Sequence, residues 1–243
     1  MSTWWRLNGE LEQQGPGSDE STLRAFDSLG PLPETPRILD MGCGPGRQSL
    51  ALARAAGGTI VAVDLLPPFL RQLEARSREA KLSDRIHAVC ADMNHPPLAA
   101  GSFDLLWSEG AVYIAGFEAG LTRWRELLRD FGLAAVSEFS WVAEPPRETR
   151  AFWEAAYPAV ADVETNRARA ERAGYEVIST FELPLGDWHA YYDPIEARAI
   201  ELQREYEDDP ASLAILSGHR EEMRVLEASE GSYTYVFYLL RKR

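Results

Sequence analysis

The residues best placed to do chemistry lie in Leu39-Asp40-Met41-Gly42-Cys43-Gly44-Pro45-Gly46-Arg47, three glycines between an apolar run and a Leu/Ala-rich one. Glycines let the backbone turn tightly and approach a ligand closely. The helix N-terminus that should follow presents free N–H groups and favours negative charge. Asp64 ends the next apolar run. It stands about 20 residues beyond the loop, the spacing at which a strand-end carboxylate holds a ribose diol. Two cofactor classes use such a loop. A dinucleotide site wants G-x-G-x-x-G/A, which here puts Arg47 where a small residue is needed; the observed pattern is D-x-G-x-G-x-G.

The candidates for direct chemistry are fewer. Glu109 follows a short apolar run, where ligands collect outside the carboxyl ends of strands. It reads as a site residue or general base, against the alternative of a solvated loop glutamate. Tyr113 and Trp107 stand nearby and read as lining or as core. Of the four histidines, His189 is the general-base candidate, because Trp188-His189-Ala190-Tyr191-Tyr192 could line a substrate mouth. His87 reads as a strand residue, His95 as loop surface and His219 as solvated. Cys43 and Cys90 make no disulfide framework, and no His/Cys/Asp cluster has metal-ligand spacing.

These residues need strands and helices to hold them. Ser18 reads as the N-cap of a helix to about Leu29. From Arg37 onward, short strands at 38–41, 59–63, 85–90, 103–107 and 133–139 alternate with helices at 47–56, 67–80 and 118–129. That alternation means βαβ units and a mainly parallel sheet. Helices follow near 147–157 and 162–173, then strands at 175–183 and 233–240. Between those two strands, Asp193-Pro194 and Asp209-Pro210 each read as an N-cap with Pro at the first helical position. The expected architecture is α/β: a doubly wound, seven-stranded, mostly parallel, Rossmann-like sheet in one domain over 1–243. Residues 1–35 form an N-terminal helical cap, 36–140 the cofactor-binding core and 187–230 a helical insertion over the strand ends.

D-x-G-x-G-x-G resembles motif I of the class I S-adenosylmethionine-dependent methyltransferases. Three further segments agree in order and spacing: Val61-Ala62-Val63-Asp64, Ala91-Asp92-Met93, and Phe103-Asp104-Leu105-Leu106-Trp107-Ser108. The resemblance covers roughly 36–140. More narrowly, Gly15-Pro16-Gly17-Ser18, Ser108-Glu109-Gly110-Ala111 and the Tyr-rich last strand are similar to a bacterial small-molecule subgroup of the ubiquinone/menaquinone-methyltransferase-like group. The resemblance implies a seven-stranded sheet with the last strand antiparallel, and S-adenosyl-L-methionine as cofactor. It implies that Gly42, Gly44 and Gly46 pass along the methionine and ribose part, and that Asp40 sits beside the ammonium. It also implies that Asp64, with Leu65 following, takes the ribose hydroxyls, that Asp92 and the Met93 backbone take the adenine, and that Ser108 borders the site. Glu109, His189 and Tyr113 are the catalytic candidates.

Composition narrows the partners. The 243 residues are 45% apolar and 26% charged, with net charge −13. An anionic chain repels a phosphate backbone, which argues against nucleic acid as substrate; no Asn/Asp-Pro-Pro-Tyr/Phe motif appears either. No apolar run approaches the ~18–20 residues that span a bilayer, and the start lacks the apolar stretch of a secretory signal. The expectation is a cytoplasmic enzyme acting on a small-molecule acceptor, with a homodimer through the insertion as an option. The alternatives are an NAD-dependent oxidoreductase and a non-catalytic cofactor-binding regulatory protein. Seven tryptophans, among them Trp4, Trp5, Trp107, Trp141 and Trp188, fit an aromatic-walled pocket or a closed core equally well.

Overall fold

A computed structural model describes residues 2–243; Met1, the first residue of the expected cap, lies outside the described residues. The chain opens with α1 (Thr3–Asn8) and α2 (Asp19–Asp27). It continues through β1 (Arg37–Met41), α3 (Arg47–Ala55), β2 (Thr59–Asp64), α4 (Pro67–Glu79), β3 (Ile86–Cys90), β4 (Phe103–Ser108), α5 (Val112–Ala115), α6 (Phe117–Trp124) and β5 (Leu128–Trp141). The second half holds α7 (Arg147–Ala156), β6 (Ala161–Asp162), α8 (Val163–Arg172), β7 (Tyr175–Glu182), α9 (Leu185–Gln203), α10 (Pro210–Glu227) and β8 (Tyr233–Lys242).

Seven strands form one sheet in the order β3-β2-β1-β4-β5-β8-β7, and the two-residue β6 pairs with β5 beside it. β8 runs antiparallel between β5 and β7, and the pairs from β3 to β5 are parallel. The first half of the chain winds outward from β1 to β3, and the second starts on β1's other side. β1 and β4 therefore flank the topological switch point, where open α/β sheets leave a crevice at the carboxyl ends of their strands.

Strands buried on both faces read as continuous apolar runs. Ile38, Leu105 and Phe237 point to one face with Leu50 and Leu52 of α3, and Leu39, Leu106 and Tyr238 to the other with Trp124 of α6. A third cluster of Phe139, Trp141, Trp188, Tyr192, Ile195, Leu216 and Tyr233 carries α9 and α10 over the carboxyl end of β5.

Local chemistry sets several boundaries as expected. Ser18 Oγ accepts from Ser21 N at 3.1 Å and caps α2, and Asp209 caps α10 through Ala211 N and Ser212 N. Three boundaries differ. Pro194 lies inside α9 instead of opening a helix. It removes one backbone donor, yet Trp188, Tyr192, Ile195 and Ala199 bury on both sides of it, and that packing keeps the helix continuous. The helix expected over 118–129 ends at Trp124, because Leu128 pairs with Phe103 and starts β5; Leu127 and Leu128 are buried either way, so periodicity alone does not separate the two. α1 was not expected. Six residues make a marginal helix on their own, and this one is held by Thr3 Oγ1 on Ser212 Oγ at 2.7 Å and by Arg6 paired with Glu205.

Candidate active site

The glycine loop, the ends of β2 and β3, and the segment after β4 surround a cavity of about 480 Å³. Its walls include Gly42, Gly44, Asp64, Asp92, Met93 and Glu109. Gly42 and Gly44 have φ of +78° and +53°, the left-handed region that glycine enters without strain. A Cβ on Gly42 would stand 2.5 Å from Ala111 Cβ, so the loop backbone closes directly on the chain beyond β4. Asp64 braces the loop: Oδ2 accepts from Gly44 N at 2.9 Å and Oδ1 from Leu66 N at 2.8 Å. Each oxygen keeps a lone pair for a ligand hydroxyl. Asp92 makes a turn by accepting from Asn94 N at 2.8 Å, and that bond holds its carboxyl below the ordinary value.

Glu109 lines the cavity, but its side chain is only 6% exposed. Oε1 accepts from Thr22 Oγ1 and from Trp107 Nε1, both at 2.7 Å, and Oε2 accepts from Arg47 at 2.6 Å. Arg47 also reaches Asp19 and Thr22. One carboxylate thus fastens α2, the start of α3 and the end of β4 around the cavity. Arg47, standing where a dinucleotide loop needs a small residue, is spent on this clamp.

Asp40 is fully buried behind the loop and is not part of the cavity wall. Ser49 Oγ donates to its Oδ2, and Gln48 Nε2 approaches Oδ1 at 3.4 Å. Burial pushes the carboxyl up to about 7, the two donors pull it down, and the nearby Glu109 adds to the rise. Gly46 and Ser108 are likewise absent from the wall. Gly46 has φ +91° and touches α4, where a Cβ would meet Leu73 Cδ1 at 2.2 Å. Ser108 Oγ donates to Met41 O at 2.8 Å and joins β4 to β1 at the switch point. Cys43 is buried in the loop, which pushes its thiol up.

The catalytic candidates separate. Tyr113 lines the cavity beside Tyr191. His189 does not: it borders a second cavity of about 430 Å³ with Trp188, Met223 and Tyr233. On a helix turning about 100° per residue, His189 stands well round the axis from Tyr191, so the two cannot share a wall. His189 is exposed, 3.4 Å from Asp193. His219, expected to be solvated, is buried with Nε2 2.6 Å from Glu196, because its face of α10 turns toward α9. His87 and His95 are exposed. Trp4 lines the cavity, and Trp5 packs on Phe69 of α4.

One polar group was missed. Glu138 on β5 is 1% exposed in the apolar run 133–141. Tyr157 OH donates to its Oε1 at 2.6 Å, while Oε2 has no partner among the described residues. Burial pushes its carboxyl up to about 7, against the pull of Tyr157 and Arg169. The signal was in the sequence: a lone glutamate in the middle of a strand that buries both faces.

The comparisons with known proteins follow this geometry. Residues 38–132 match the family model for the methyltransferase domain. The chain is similar to a malonyl-[acyl-carrier protein] O-methyltransferase of Methylovorus sp., 40% identical over 97 residues, 38% of this chain and 32% of that protein. It is also similar to the enzyme of that name from Pseudescherichia vulneris, 34% identical over 152 residues, 62% of this chain and 55% of that protein. It therefore spans between about a third and about half of these relatives' length. Among solved structures it superposes on a SAM-dependent methyltransferase from Thiobacillus denitrificans, crystallised with S-adenosyl-L-homocysteine. The TM-score is 0.85 at 18% identity, covering 100% of this chain and 99% of that one. These matches are to the domain and the fold and do not reach the quinone-methylating subgroup. Residues 38–132 thus match the methyltransferase domain in sequence, and over its whole length the chain has the fold of S-adenosylmethionine-dependent methyltransferases.

Proposed function

We propose that the chain transfers a methyl group from S-adenosyl-L-methionine to a small-molecule acceptor. The observation that carries this reading is the convergence of Gly42, Gly44, Asp64 and Asp92, from three separate strand ends, on one cavity of about 480 Å³. The residues present fit the cofactor. The two glycines leave a side-chain-free edge. Asp64 has lone pairs for a ribose diol, and Asp92 with the Met93 backbone suits the adenine. Of the nine large apolar side chains exposed among the described residues, Trp4, Leu65, Leu66, Tyr113 and Ile114 rim this cavity. An exposed apolar rim marks a binding groove, and a planar base would cover part of it.

When bound, the cofactor supplies an electrophilic methyl on a sulfonium and leaves as a thioether. The chain's part is to bind, orient and exclude water. Glu109 serves as a positioning residue, because its oxygens are engaged by Arg47, Thr22 and Trp107. Asp40 acts through Ser49 and Gln48 on the loop and the first turn of α3. α1, α9 and α10 form the cover. Ser21 Oγ donates to Asp187 Oδ2 at 2.6 Å and Gly17 N to Asp187 O at 3.3 Å, so the N-terminal segment and α9 meet near the cavity mouth.

The test is incubation with S-adenosyl-L-methionine and a panel of amines, phenols, thiols and carboxylic acids. Mass spectrometry would follow S-adenosyl-L-homocysteine and the methylated product. At least one acceptor should give both. Hydride transfer with NADH in place of methyl transfer would overturn the reading.

A further inference from the structure

Glu138 is a buried carboxyl for which the cofactor site has no use. Its strand runs beside β4, and Ser137, one residue earlier, accepts from Gly110 N at 2.8 Å. Gly110 lines the cofactor cavity, so β5 meets that cavity's edge at Ser137; Glu138, the next residue, points to the other face of the sheet and reaches the cavity only through neighbouring rings. A relay of rings joins them. Tyr157 donates to Glu138, and its ring meets that of Tyr113 edge-on at 5.9 Å. Tyr113 in turn lines the cofactor cavity with Tyr191. On the other side Tyr191 packs on Tyr192 at 5.0 Å, and Tyr192 OH donates to Glu222. Burial raises the phenols of Tyr113 and of the half-buried Tyr235, and Glu138 and Glu222 act on both in the same direction.

We propose that this cluster is the acceptor subsite, and that it takes a small cationic amine between the rings of Tyr113, Tyr157 and Tyr191, with Glu138 as its counter-charge. The inference rests on the methyl-transfer reading above and names the acceptor class for it. Three features favour a cation. Oε2 of Glu138 is buried without a donor among the described residues, and a buried acceptor left unpaired costs free energy that a ligand N–H returns. Aromatic faces attract ammonium groups, and the gain rises when the site is dry. Finally, the carboxylates acting here are Glu138 and Glu222; Arg169 of α8 also acts on Glu138, but its guanidinium is bonded to Ala159 O and Asn166 Oδ1. A carboxylate acceptor would meet like charge. Glu138 Oε2 would also receive the proton that an ammonium must shed before its nitrogen has a lone pair to offer.

The test uses the whole chain saturated with S-adenosyl-L-homocysteine and titrates it calorimetrically with trimethylammonium chloride, which keeps one N–H, and, separately, with sodium malonate. Trimethylammonium should bind and malonate should not. Glu138→Gln should weaken trimethylammonium by about tenfold or more, the loss of one charge-assisted hydrogen bond, with affinity for S-adenosyl-L-homocysteine unchanged. Tyr113→Ala should weaken it and Tyr113→Phe should not, which carries the test if Glu138→Gln does not fold. Malonate binding in place of the cation, binding of neither, or equal affinity in Glu138→Gln would overturn the proposal while leaving the cofactor reading intact. Failure of the wild-type chain to bind S-adenosyl-L-homocysteine would remove both.

Discussion

Arg47 donates to Glu109 across 2.6 Å, with side chains 12% and 6% exposed. The pair ties the first turn of α3 to the chain beyond β4, and Thr22 and Trp107 complete it. Breaking a buried pair by removing one partner leaves an uncompensated charge, at a cost of roughly 3–5 kcal/mol. Glu109→Ala should therefore destabilise the fold by about that much in urea unfolding. A loss under about 1 kcal/mol would show the pair to behave as an exposed one.

Asp64→Ala should remove the brace on Gly44 and both ribose contacts together. Hydrogen bonds to charged groups are worth ~1.5–3 kcal/mol each. Affinity for S-adenosyl-L-homocysteine should fall by about a hundredfold or more, since every 1.4 kcal/mol is tenfold. Unchanged calorimetric affinity would take Asp64 out of the site.

Gly46→Ala tests packing apart from ligand contact. The residue has φ +91°, and a new Cβ would stand 2.2 Å from Leu73 Cδ1. Left-handed backbone costs a non-glycine residue ~1–2 kcal/mol and overpacking ~1–3 kcal/mol more. Thermal unfolding should show a loss of a few kcal/mol, of order the sum of those two costs. A neutral substitution would mean that α4 can move away from the loop.

Asp40 and Glu138 give the stability a defined pH dependence. Their ordinary values are 3.8 and 4.5, and burial pushes each up to about 7. Between those limits the fold keeps protons that the unfolded chain has released. Their contribution is therefore complete below about pH 4 and is lost as the pH rises through about 7. Asp40→Asn should flatten that part of the profile, gaining on the wild type at about pH 8 relative to about pH 5. Parallel melting-temperature profiles for the two proteins would contradict the assignment.

The cofactor half was legible in the sequence because local rules govern it. Glycine spacing, a strand-end Asp64 and the cap at Ser18 each act within a few residues. The rest depends on contacts distant in the chain. Nothing near Glu109 announces that Thr22 and Arg47 will converge on it. Nothing near Asp193-Pro194 says that α9 will run through the proline, since the packing that overrides it comes from β5, β8 and α10. His189 and Tyr191 are two residues apart and read as one aromatic mouth, yet the helical turn sends them to different cavities. Glu138 was visible as a lone acid in an apolar run but carries no spacing to a partner; its burial and an oxygen unpaired among the described residues give that signal its meaning.

The central claim is the identity of the cofactor, and parallel calorimetric titrations of the whole chain with S-adenosyl-L-homocysteine and NADH test it most directly. The account predicts binding of the first with Kd on the order of micromolar and no heat from the second. Binding of NADH without S-adenosyl-L-homocysteine would contradict it.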